Sequence, residues 1–246
     1  DACASLLADG EVHGRIAVAF TPDEEVGLGP NGFDLAAFGC DFAYTLDGGP
    51  EGEIEYENFN GCDASFRIRG RSVHPGSAKD IMVNAAKVAC EIQGMVPAGE
   101  SPRDTEGYEG FYHLTRLSGT VEEAAMDFIV RDHDRELFEE RKRRLAEIRD
   151  AIDARYGEGT ATLTVTDRYY NMIEKIRPHF HLVENAREAT RAAGLAPIVQ
   201  PIRGGTDGAR LSYMGLPCPN LGTGGYGYHG PYEHITREGM EAAVAV

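Results

Sequence analysis

The stretch Asp63-Ala64-Ser65-Phe66-Arg67-Ile68-Arg69 decides how the chain is divided. Apolar and polar residues alternate with period two, the pattern of a strand with one buried and one exposed face. Further on, 84–95 reads as a helix, and 111–117 and 125–131 read as strands. Leu137, Phe138, Arg141, Leu145, Ile148 and Ile152 recur at helical spacing, with Arg141 as the one polar member of the face. Ala161, Leu163 and Val165 supply a last alternating strand. The order βαββαβ over about residues 58–170 is the ferredoxin-like pattern, in which two helices cover one face of a four-stranded sheet and the other face is left for a partner.

On either side of this module the signals are those of an α/β sheet. Residues 16–20 read as a strand, 33–38 as a short helix and 42–46 as a second strand. After Met172, residues 178–193 read as a helix closed by Gly194, 217–221 as a short strand, and Thr236 as the N-cap of a terminal helix. The expected architecture is therefore an α/β domain made of 1–57 and 171–246, with the module at 58–170 inserted into it. The chain has no initiating Met, and 2–7 reads like the end of a helix already under way, so an upstream part is expected.

Composition narrows the function classes. Against 40 acidic residues the chain has 24 Lys and Arg, for a net charge of −16, which excludes the clustered cations a nucleic-acid binder needs. Its five cysteines are scattered and odd in number, which fits a reducing cytoplasm better than a disulfide scaffold. No apolar run has membrane-spanning length. A Gly-x-Ser-x-Gly elbow, a P-loop and a His-Glu-x-x-His are all missing from the sequence.

What remains is a set of acidic and imidazole side chains in glycine-rich loops. In Thr21-Pro22-Asp23-Glu24-Glu25-Val26-Gly27 two adjacent carboxylates follow an expected strand, so that one can hold a cation while the other moves a proton. Asp47 precedes Gly48-Gly49, and His229 lies in Gly224-Gly225-Tyr226-Gly227-Tyr228-His229-Gly230. Taken singly, each reads as an exposed turn residue; together they form a mixed oxygen and nitrogen donor set suited to zinc. Arg203, in Arg203-Gly204-Gly205-Thr206-Asp207-Gly208, either binds a carboxylate or pairs with Asp207. His74, in Gly70-Arg71-Ser72-Val73-His74-Pro75-Gly76, is either an oxyanion donor or a surface turn residue, and Arg131 either catalyses or pairs with Asp132.

These motifs, in this order, resemble the M20 family of co-catalytic zinc peptidases, and the resemblance runs over nearly the whole chain. It implies a zinc-dependent aminopeptidase that releases the N-terminal residue of tripeptides. Glu24 would be the general base, Glu25, Asp47 and His229 would hold metal, two zinc ions in all, and Arg203 and Arg131 would hold the peptide's carboxylate end. His74 would reach a neighbouring subunit through a homodimer formed by the inserted dimerisation or lid module. The family's upstream His-x-Asp motif and bridging Asp have no counterpart here, so the chain is expected to be the C-terminal part and inactive alone. The same fold would also serve a dipeptidase, an N-acyl-amino-acid deacylase, or a binding and assembly fragment.

Overall fold

In a computed structural model describing residues 1–10 and 12–246, the chain divides into two compact units. One comprises Asp1–Asn58 and Asn171–Val246; the other is Phe59–Tyr170.

The Phe59–Tyr170 unit is a four-stranded sheet with two helices. Its central strand, Asn60–Arg69, pairs antiparallel with Glu123–Asp132 on one side and with Ala161–Tyr169 on the other. Phe111–Gly119 adds to the outer edge of Glu123–Asp132, with a register shift between Leu114 and Arg116. This is the strand order of the ferredoxin-like pattern. Along Asn60–Arg69 the even positions Cys62, Ala64, Phe66 and Ile68 are buried, and Arg67 and Arg69 point out. The helix Ala85–Met95 starts where Asn84 accepts a hydrogen bond from Lys87 N, and Arg135–Tyr156 starts where Asp134 accepts from Glu136 N and Leu137 N. Phe138, Leu145, Ile148 and Ile152 meet the sheet's Phe66, Met126 and Phe128, and each such burial contributes roughly 1.5–3 kcal/mol. Leu137 lies off this face and is half exposed. Arg141 does lie on it, and its guanidinium meets the buried Asp132 Oδ2 at 2.7 Å and also Glu100.

The other unit is built on a small mixed sheet. Thr45–Gly48 runs parallel to Asn220–Gly222, which is antiparallel to Glu53–Glu55, which is parallel to Ile198–Val199. Ile54, Met172, Ile176, Val183, Ala186 and Ala209 form its core. The helix expected at 178–193 forms as His181–Ala192; Ile173–Ile176 and a 3-10 turn at Arg177–His179 precede it, and Pro178, which has no N–H to give a longer helix running on from Ile173, lies in that turn. Thr236 caps Arg237–Ala245 as the sequence indicates. At the point where the chain leaves and rejoins this unit, Asn58 N donates to Asn171 Oδ1 at 3.1 Å and Met172 N donates to Asn58 Oδ1 at 2.7 Å.

One expected element does not form. Residues 16–20 are not a strand, and Ile16, Val18 and Phe20 are 48%, 65% and 94% exposed. Strand-forming residue types do not make a strand where no neighbouring ladder takes up their backbone N–H and C=O groups.

Candidate active site

The sequence motifs of the α/β unit meet around the end of Thr45–Gly48. Glu24 and Glu25 lie in a single 3-10 turn, Glu24–Val26, held between two left-handed residues, Asp23 and Gly27. That turn is tied down from behind, because Thr21 Oγ1 donates to Asp207 Oδ2 at 2.8 Å. Gly29 leaves room for the Asp207 carboxylate, which a side chain there would displace. Asp47 lies near the carboxyl end of Thr45–Gly48, where open α/β sheets carry their sites. Thr206 caps the helix Asp207–Met214 and brings Asp207 to the same place.

The charges repel one another. Glu24 is pushed up to about 7, chiefly by lost hydration, then by the carboxylates of Asp47, Asp207 and Glu25, with His229 acting in the opposite direction. Asp47 is raised too, by lost hydration first and then by Asp207, against the hydrogen bond from Thr206. His229 occupies a left-handed conformation, and its Nε2 lies 3.0 Å from Glu25 Oε2. Among the described residues, no group of three or more His, Cys, Asp or Glu side chains is arranged to hold a metal ion. What the fold brings together is the His229 and Glu25 pair, and Glu24 within the field of Asp47 and Asp207.

The remaining expected site residues lie elsewhere. His74 belongs to the Phe59–Tyr170 unit, where it caps a 3-10 turn and its Nδ1 accepts from Gly76 N at 3.1 Å. That bond leaves the proton of a neutral ring on the exposed Nε2. Arg131, in the same unit, lies 4.8 Å over the Tyr169 ring, and burial lowers its pKa. The pairing of Arg131 with Asp132 is not found, because neighbours in a strand face opposite ways and Asp132 is taken by Arg141. Arg203 lies half-buried in the loop before Asp207–Met214, next to Ile202, whose N–H bonds to Glu57 O at 2.8 Å. In the sequence Asp207 reads only as a counter-ion for Arg203, and nothing singles out Glu55, Thr206 or Asn220. The Gly-Gly-Thr-Asp-Gly run was the available signal, since an Asp just inside a capped helix after glycines is placed to face a site.

Comparison with known proteins agrees in both units. Residues 56–160 match the peptidase dimerisation domain. Over 98% of the chain the sequence is 55% identical to a peptidase T of Alkaliphilus oremlandii, and over 95% it is 54% identical to one of Clostridium novyi. The chain spans 59% and 58% of those two relatives. Among solved structures, the aminopeptidase PepT of Bacillus cereus superposes with a TM-score of 0.84 at 24% identity, covering 99% of this chain and 65% of that one. A tripeptidase of Staphylococcus aureus gives 0.82 at 20% identity, with the same coverage. The two structures share its fold, the two sequences share more than half of its residues, and the chain is similar to peptidase T over nearly all of its length.

Proposed function

We propose that the protein carrying this sequence is a metal-dependent aminopeptidase that releases the N-terminal residue of tripeptides, with zinc as the metal. The observation that carries this reading is the gathering of Glu24, Glu25, Asp47 and Asp207 in one unit with His229 among them. Glu24 and Asp47, raised by lost hydration and by the neighbouring carboxylates, would be relieved by a cation, and the carboxylate and imidazole donors fit a zinc-like ion. The domain limits proposed are 1–57 with 171–246 for the catalytic part and 58–170 for the inserted module.

In this mechanism Glu25, His229 and Asp47 are the residues that would hold metal. A bound divalent cation supplies positive charge that polarises the scissile carbonyl and makes water a stronger acid. Glu24 takes the proton from the attacking water and passes it to the leaving amine, a task suited to a carboxyl titrating near neutrality. Arg203 takes the substrate's carboxylate, with Arg131 as a second candidate for that role. His74, with its proton on Nε2, donates to the carbonyl oxygen in the site of a second copy, which makes the working form a homodimer joined by the inserted module. A match to a dimerisation domain at 56–160 supports that assembly. Five free cysteines support a reducing cytoplasm, and among the described residues no helix is long and apolar enough to cross a membrane.

The test is Glu24→Gln, which keeps the shape and removes the proton acceptor. Turnover of a tripeptide should fall roughly 10²- to 10⁴-fold with metal content unchanged. Near-normal turnover would remove Glu24 from the base role, and stronger hydrolysis of dipeptides or acylated amino acids than of tripeptides would refute the substrate class.

A further inference from the structure

Behind Asp47 lies a buried set of polar groups whose donors and acceptors can be assigned one by one. Asn220, Thr206 and Glu55 are 1%, 7% and 9% exposed. The Asn220 side-chain oxygen accepts from the Thr45 hydroxyl, which fixes the amide's orientation and turns both of its hydrogens the other way. One goes to Thr206 Oγ1 at 3.0 Å and the other to Glu55 Oε2 at 3.3 Å. Thr206 Oγ1 also accepts from Gly208 N at 3.3 Å. With both lone pairs engaged, its single proton has two acceptors within reach, Asn220 Oδ1 at 3.2 Å and Asp47 Oδ2 at 3.4 Å; the first already accepts from the Thr45 hydroxyl and belongs to the amide that donates to Thr206, so Asp47 Oδ2 is the acceptor the network leaves open.

Resting on the functional reading above, we propose that Thr206 is a positioning residue, its hydroxyl aimed by Asn220 and Glu55 so that it orients the Asp47 carboxylate toward the bound metal. The order matters. A serine or threonine hydroxyl ordinarily rotates to suit its surroundings, but here the neighbouring amide removes that freedom. Asp47 stands on a short strand with a register irregularity beside it, between Leu46 and Gly48, so backbone pairing alone holds its side chain weakly. A partner that fixes one carboxylate oxygen leaves the other to face the cation, the part that outer hydrogen bonds play around metal ligands. Three strands and a helix start bring the set together.

The experiment compares Zn²⁺ affinity, by competition with a chromophoric chelator, in the unaltered protein, Thr206→Val and Thr206→Ser. Valine fits the extended backbone at this position and keeps the volume, but lacks the proton. The expected result is a Zn²⁺ affinity lower by roughly 10- to 100-fold in Thr206→Val and close to normal in Thr206→Ser, with circular dichroism showing all three folded at the temperature used. Because Thr206 also caps a helix, Asn220→Asp is the second variant: its carboxylate draws the Thr206 proton away from Asp47 and should weaken Zn²⁺ to a similar extent. Normal affinity in a folded Thr206→Val or Asn220→Asp overturns the positioning role alone. An unaltered protein that binds no Zn²⁺ overturns the functional reading and this inference with it, and a Thr206→Ser that binds as poorly as the valine variant shows a packing effect in place of a directed proton.

Discussion

Glu55→Gln is a substitution that should stabilise this protein, and by an amount that depends on pH. Glu53 and Glu55 are two residues apart on one short strand, and both are buried. Lost hydration, and then the charge of Glu53, push Glu55 from 4.5 up to about 8, against the hydrogen bond from Asn220. The unfolded chain therefore releases this proton several pH steps before the folded one, and between those two values stability falls as pH rises. Below about 4.5 both states keep the proton and nothing is lost; above about 8 both have released it and the loss is complete, on the order of 5 kcal/mol. Between pH 5.5 and 8.5 the same arithmetic gives a loss of about 3 kcal/mol. Gln keeps the carbonyl that accepts from Asn220, offers its new N–H to Glu53, and has no charge to bury. Urea denaturation followed by circular dichroism, with chelator present, should show Glu55→Gln gaining about 3 kcal/mol more over the unaltered protein at pH 8.5 than at pH 5.5. An equal difference at the two pH values would refute the assignment of this titration to Glu55.

Glu25→Ala and His229→Ala should each weaken Zn²⁺ by at least the roughly 10- to 100-fold typical of altering a metal's surroundings, and unchanged zinc stoichiometry by elemental analysis would count against either as a ligand. Mixing a His74→Ala protein with a Glu24→Gln protein should restore peptidase activity in heterodimers, since one of the two sites then has both groups; mixed dimers as inactive as their parents, with exchange verified, would leave His74 an ordinary turn residue. Arg141→Met should cost about 3–5 kcal/mol in thermal unfolding, because it strands the buried Asp132 carboxylate, and a loss below 1 kcal/mol would show that Asp132 finds other partners.

The inserted unit was legible in the sequence because its elements carry their own periods. Ala64, Phe66 and Ile68 alternate, and Phe138, Leu145, Ile148 and Ile152 recur at helical spacing. The α/β unit was less so, since its strands are only two to four residues long and owe their form to neighbours distant in sequence. Residues 16–20 show the converse: their residue types suit a strand, but pairing is a property of two segments. At the candidate site, motifs could point to Glu24, Glu25, Asp47 and His229 as side chains with chemistry of their own. Glu55, Thr206 and Asn220 have no such signature, because what sets them apart is a pattern of donors and acceptors that exists only after folding. The sequence left Arg131 and Asp132 as a possible pair, although the alternation of a strand already puts them on opposite faces.

The asparagine clasp at Asn58 and Asn171 bears on how the chain assembles. Roughly a hundred residues separate the two halves of the α/β unit, and closing a flexible loop of that length costs on the order of 4 kcal/mol. That cost need not fall on the clasp. The first and last strands of the inserted unit, Asn60–Arg69 and Ala161–Tyr169, are themselves paired, so once this unit folds it delivers its two ends side by side. The intervening chain then behaves kinetically as a short connection, and Asn58 and Asn171 find each other as if they were near neighbours. The long-range sheet of the α/β unit, which has little local pairing to nucleate it, should therefore form second and depend on the inserted unit for its rate of folding.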